Sequence, residues 1–95
     1  MSGLKGDRKP KRKFKPPSIG TRELVRALTH YGAEEKKGRG KGSHALYERM
    51  VSGRRCVAPV PRDSDLARGT IDAIRRQLKL THDDGVSDVD FYGHA

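Results

Sequence analysis

The chain has 95 residues, a formal net charge of +9 and one cysteine. A lone cysteine excludes an internal disulfide and a multi-cysteine zinc site, and no apolar run reaches the roughly 18 residues of a membrane span. The length fits one domain with a small core, the basic balance calls for a polyanionic partner (nucleic acid or an acidic protein), and with no leader visible the cytoplasm is the expected compartment.

Residues 1–17 hold seven Lys or Arg against one Asp, three prolines (Pro10, Pro16, Pro17) and little to bury beyond Phe14. Such a segment cannot offset its ordering entropy, so it is expected to be a disordered basic tail. A sequence-blind electrostatic contact with a nucleic-acid backbone and a merely solubilising role both fit it.

Residues 18–32 read as the first helix. Thr21 is the expected cap, and Glu23 sits in the first turn where the helix dipole favours an anion. Leu24, Val25 and Leu28 share a face with Ala27 beside them, and Gly32 supplies the left-handed stop. His30 reads as a surface residue near the helix end. Residues 33–37 are poor strand formers, yet a short charged edge strand fits them.

The stretch Gly38-Arg39-Gly40-Lys41-Gly42-Ser43-His44 follows. Glycine lets backbone approach a ligand closely, Arg39 and Lys41 draw an anion, and His44 can give and take a proton near neutrality. A nucleotide-triphosphate loop is excluded: Gly42 separates Lys41 from Ser43, and the following residues look like strand rather than helix. A flexible solvated connection with an exposed histidine is the plain reading. The sharper one is that the loop brings a phosphodiester up to His44.

His44 to Met50 reads as a strand, with Leu46 and Tyr47 on opposite faces; the pattern does not decide which one meets the core. For Tyr47, a core position and stacking on a base both fit. Ser52-Gly53 is a tight turn, and Arg55 to Val60 is a third strand whose Pro59 marks an edge or an end. Cys56 reads as a small buried hydrophobe rather than a nucleophile. Asp63-Ser64-Asp65 then supply caps for a second helix, about Leu66 to Lys79. Its apolar stripe is Leu66, Ile71, Ile74 and Leu78; Arg68, Arg75, Arg76 and Lys79 form a basic outer face, either solvated or against phosphate. Gly69 either permits close packing or marks the real helix start.

Residues 81–95 change sign, with four Asp and no Lys or Arg. Their spacing does not fit a calcium loop, His82 and His94 lack the spacing of a metal site, and no metal or other cofactor is assigned. Val86, Val89, Phe91 and Tyr92 are available to anchor a short packed segment, and the acidic residues to fold back over basic surface. Helix, three strands and helix together predict an α+β fold: a three-stranded antiparallel sheet with two helices on one face.

On this order of elements, the runs Thr21-Arg22-Glu23-Leu24-Val25-Arg26-Ala27-Leu28, Tyr31-Gly32, Lys41-Gly42-Ser43-His44, Pro59-Val60 and Gly69-Thr70-Ile71-Asp72-Ala73-Ile74 resemble the HicA toxin family. The resemblance covers about residues 20–80, within a domain taken as 18–80, with 1–17 as tail and 81–95 as an acidic segment outside it. It implies a fold like the double-stranded-RNA-binding domain, mRNA cleavage, and a HicB-type antitoxin as partner. It also implies that His44 is catalytic, with Gly42 as the glycine of the motif. The chain departs from many members at Ala33, Ala45 and Pro61, where an aromatic and two histidines are common.

RNA carries its own nucleophile in the 2′-hydroxyl. A metal-independent endoribonuclease therefore needs a general acid or base, here His44, and donors for the phosphoryl oxygens. Lys41, Gly42, Ser43 and Arg39 are the expected phosphate-binding set. The alternative is a non-catalytic RNA-binding module using the same basic face, and a third class is pure protein interaction with an acidic partner.

Overall fold

The computed structural model describes residues 14–62 and 64–95. Of the basic tail expected over residues 1–17, residues 1–13 lie outside the described residues, as does the expected cap at Asp63; residues 14–17 form no helix or strand. Helix α1 (Thr21–His30) begins one residue earlier than the capping pattern implies: Gly20 is the extended N-cap residue, and Thr21 is already helical. The Glu23 carboxylate reaches back to the Gly20 N–H at 3.0 Å. Hydrogen bonds from backbone N–H groups, its own and that of Gly20, hold this carboxyl below the usual range. Freed from capping, the Thr21 hydroxyl donates to the Pro61 carbonyl at 2.7 Å.

Strand β1 (Glu34–Glu35) pairs antiparallel with β2 (His44–Val51), and β2 pairs along its whole length with β3 (Arg54–Pro61), giving the order β1-β2-β3. The β2–β3 turn is the expected Ser52-Gly53, with φ of 51° and 80°. Positive φ at both central residues matches the right-handed twist of the strands. Pleating then sorts the faces. Ala45 and Tyr47 pair with Val60 and Ala58, and all four are buried. Tyr47 rather than Leu46 thus enters the core. His44, Leu46, Glu48 and Met50 take the opposite face by alternation, which leaves Met50 and Val57 exposed.

Helix α2 spans Arg68–Gln77, shorter at both ends than expected, with Ala67 as its N-cap residue. Ser64 and Asp65 do not cap it. They run extended beside Gly20, where Thr21 N–H donates to Ser64 and Leu66 N–H to Ile19. A Cβ at Gly69 would meet open space, so close packing is not its role. Ile71, Ile74 and Leu78 join Leu24, Ala27 and Leu28 in one core with the four buried sheet residues. Both helices thus cover one face of the sheet, the two-layer arrangement of a double-stranded-RNA-binding-domain-like α+β fold.

The two helices end alike. After α1, Gly32 takes φ 90° while Ala33 N–H donates to Leu28 and Gly32 N–H to Thr29. After α2, Lys79 takes φ 58° while Leu80 N–H donates to Arg75 and Lys79 N–H to Arg76. Each is a left-handed stop closed by paired backbone bonds, a position that favours glycine. Lys79 is therefore a cap residue, not part of a helical face.

Arg75 corrects the second expectation for that face. It is 4% exposed. Its guanidinium donates to the carbonyls of Leu80 at 2.9 Å and Val86 at 3.0 Å and to Asp88 at 2.7 Å, and lies 4.5 Å over the Phe91 ring. This draws in the C-terminal segment: a short 3₁₀ turn (His82–Asp84) and helix α3 (Asp88–Gly93), capped by Ser87, whose Oγ accepts from Asp90 N–H. Val86, Phe91 and Tyr92 are buried as anticipated; Val89 is exposed.

Two substitutions test these ends. Arg75→Met leaves two carbonyls and a carboxylate without their donor, and is expected to cost about 3 kcal/mol, while Arg76→Met on the exposed side stays near neutral. Lys79→Gly removes the left-handed strain and is expected to add about 1 kcal/mol. Thermal unfolding followed by circular dichroism reads both: Arg75→Met should lower the midpoint by more than about 10 °C and Lys79→Gly should raise it by several degrees.

Candidate active site around His44

The loop from β1 to β2 is held at three points. Lys36 N–H donates to Leu46 at 2.8 Å, Arg39 N–H to Lys36 at 3.1 Å, and His44 N–H to Lys41 at 2.9 Å. The last bond closes a two-residue turn at Gly42-Ser43, with Gly42 at φ 53°. Lys41 and His44 face each other across this turn as bridge partners. Gly40 meets the strand more closely still: a Cβ there would lie 2.5 Å from the His44 carbonyl oxygen and 2.9 Å from Ala45 Cα. Both are backbone atoms, so only glycine fits without displacing the loop.

His44 is exposed at the first position of β2, paired in register with Pro61. Its Nδ1 lies 3.1 Å from Ser43 Oγ. That contact occupies one ring nitrogen and leaves Nε2 without a hydrogen-bond partner among the described residues. When Ser43 accepts from Nδ1–H, Nε2 carries the free lone pair of a base. Arg39 and Lys41 line the hollow beside the ring and make no ion pair with another described residue. Elsewhere on the open face, Glu48 engages both Lys36 at 3.2 Å and Arg55 at 3.1 Å. Glu48 thereby offsets part of the charge at the middle of the sheet, whereas Arg39 and Lys41 at the His44 end have no such carboxylate among the described residues.

The sequence-predicted residues Arg39, Lys41, Gly42, Ser43 and His44 are thus brought together on one turn. Arg62 was not singled out beforehand. Its backbone N–H donates to Ser43 at 2.8 Å, its side chain donates to the carbonyls of Gly42 at 3.1 Å and His44 at 3.3 Å, and its guanidinium pairs with Glu35 at 3.6 Å. One planar fork so joins β1, the turn and the end of β3. The only hint in the sequence is an arginine directly after the last strand. Tyr47 takes the core role: it is buried, and burial, then the nearby Glu35, push its hydroxyl pKa up, so it stays protonated at neutral pH. The other histidines lie elsewhere, with His30 and His94 stacked on each other at 3.4 Å.

The family model described as HicA toxin of bacterial toxin–antitoxin matches residues 21–80, from the start of α1 to the end of the α2 cap. The chain belongs to the HicA toxin family. No curated protein matches it. For this HicA toxin the match spans every element that builds the turn and its supports, and stops before α3. Two of its departures from the common family pattern, Ala33 and Ala45, are buried core residues; Pro61 stands opposite His44. Among the described residues no group of three or more His, Cys, Asp or Glu is placed to hold a metal, and no helix is long and apolar enough to cross a membrane.

The supports of the turn can be tested without reference to activity. Arg62→Met should raise amide hydrogen exchange at residues 41–44 by about tenfold, the loss of roughly 1–2 kcal/mol of local bonding, with little change in α2. Gly40→Ala should displace the same segment and shift the His44 ring resonances in NMR spectra, whereas Gly93→Ala, in open space at an ordinary φ on α3, should leave those resonances in place.

Proposed function

We propose that this toxin is a metal-independent mRNA endoribonuclease in which His44 is the general acid and base. The observation that carries the reading is the exposed Ser43–His44 pair beside two cations, Arg39 and Lys41, that make no ion pair among the described residues, on a glycine-rich loop. In this scheme His44 Nε2 takes the proton of the 2′-hydroxyl. The 2′ oxygen bonds to phosphorus, and the bond from phosphorus to the 5′ oxygen breaks. The imidazolium then returns its proton to that leaving oxygen. The products are a 2′,3′-cyclic phosphate and a 5′-hydroxyl. Lys41, Arg39 and the backbone N–H groups of Gly42-Ser43 stabilise the charge that develops on the phosphoryl oxygens. Ser43 orients the ring.

The rest of the chain has a part in this proposal. Residues 18–80 form the catalytic unit, the basic residues 1–17 add sequence-blind attraction for RNA in the cytoplasm, and residues 81–95 brace the helices. A HicB-type antitoxin inhibits by covering the basic end of the sheet and shielding His44.

The decisive assay incubates end-labelled RNA with wild type and His44→Ala, with and without chelator. Wild type should yield cyclic-phosphate ends in either condition, and His44→Ala should lose roughly 10²–10⁴ in rate while still binding RNA. Chelator-sensitive cleavage, or a His44→Ala variant that cleaves normally, rejects the mechanism. RNA bound but never cut points to the binding-module alternative. Lys41→Gln should weaken binding and reduce the salt slope by about 0.7, the single-strand value for one phosphate contact.

A further inference from the structure

His44 stands where two hollows meet. The smaller, about 150 Å³, lies by the Gly38–Gly42 loop and is lined by Arg39, Gly40, Lys41, Leu46 and Pro59 as well as by His44. The wider, about 370 Å³, runs between β3 and α2, past Pro61, Gly69, Thr70, Ala73 and Gln77. Pro59 borders both.

The smaller hollow has an unusual composition for so basic a surface. Its walls are chiefly carbon, from the half-buried Leu46 side chain, the exposed Pro59 ring and the bare backbone at Gly40. Its charged members, Arg39 and Lys41, are both cations, and no carboxylate lines it. A carbon-lined space of about 150 Å³ holds a single six-membered ring. A flat apolar ring joined through a sugar to an anion is the shape and charge of a nucleotide, and the imidazole lies at its edge.

We propose that this hollow is the subsite for the base of the nucleotide next to the scissile phosphate, and that it favours pyrimidines over purines. The proposal rests on the ribonuclease reading only for the word scissile; base capture itself is a binding property. Leu46 and Pro59 are specificity-determining residues: they touch the base and leave the phosphate to Arg39 and Lys41. A purine adds a second ring that the hollow does not cover, so it gains less. The wider hollow, with Thr70 and Gln77, leaves room for the neighbouring nucleotide to continue past His44.

The test uses the full chain and uncleavable 2′-O-methyl RNA strands of one length, followed by fluorescence anisotropy. One strand is all uridine, one all adenosine, and one carries abasic sugars. Wild type should bind the uridine strand about five- to tenfold more tightly than the abasic strand, with adenosine between them. Leu46→Ser should bring the uridine-to-abasic ratio close to one while leaving the abasic affinity unchanged. Pro59→Ala, on the exposed edge, should lower the same ratio and decides the matter if Leu46→Ser does not fold. A ratio that survives Pro59→Ala and a folded Leu46→Ser, or adenosine bound more tightly than uridine, overturns the proposal. Equal binding of uridine and abasic strands by wild type also overturns it, and leaves the hollow to a partner protein's side chain. The strands cannot be cut, so base preference stands apart from catalysis. An intact ratio alongside uncleaved natural RNA rejects the ribonuclease reading alone.

Discussion

The C-terminal end of a helix leaves carbonyl groups that the helix cannot satisfy, and this fold answers them with arginine. Arg49, half-buried on β2, donates to Tyr31 at 2.9 Å, to Leu78 at 2.9 Å and to Lys79 at 3.1 Å. One side chain of the middle strand thus ties down the C-terminal ends of both α1 and α2. Arg75 instead holds the chain that leaves α2, through the carbonyls of Leu80 and Val86. Lysine would not serve, because the planar guanidinium presents several donors in fixed directions while an ammonium offers a point charge. Positive charge at a helix C-terminus also meets the negative end of the dipole. The angle between sheet and helices, and with it the exposed sheet end that carries His44, depends on these bonds.

The consequence reaches the meaning of the net charge. A balance of +9 invites the view that every cation waits for a polyanion. Arg49, Arg62 and Arg75 are instead spent on backbone carbonyls within the chain. Arg68 meets Asp72 and Asp88, and Lys36 and Arg55 share Glu48. Pairing thins the charge over the middle of the sheet and along α2. Beside His44, Arg39 and Lys41 make no ion pair with another described residue, and two cations on one short loop set a local field.

The sequence made the element order legible, because the Gly32 stop, the Ser52-Gly53 turn and the apolar stripes are local signals. It also placed Arg39 through His44 on one turn, since those residues are contiguous. It missed what depends on pairing. Arg75 falls among arginines on a helix, and nothing in the apolar stripe distinguishes the one that faces inward over Phe91. The end of α2 was misread because its left-handed residue is Lys79, where glycine is the usual signal. Thr21 reads as the cap because the extended residue before it, Gly20, has no side chain to announce the role. Arg62 was overlooked because its three acceptors are distant in sequence and appear only when β3 is laid against β2.

That register also explains why the His44 end stays open. Pro59 and Pro61 face outward along β3, and neither has an N–H to offer. A further strand cannot pair there, although the same edge carries backbone donors at Arg55 and Val57. The Pro61 carbonyl is already taken by the Thr21 hydroxyl, and Arg62 holds the turn opposite. Edge prolines are a usual defence against unwanted strand addition. In this toxin they have a second effect: with regular pairing blocked beside the imidazole, that edge is left to ligands that do not require a backbone ladder. A single-stranded polynucleotide, which carries its own flexible backbone and seeks cations and apolar surface, is such a ligand.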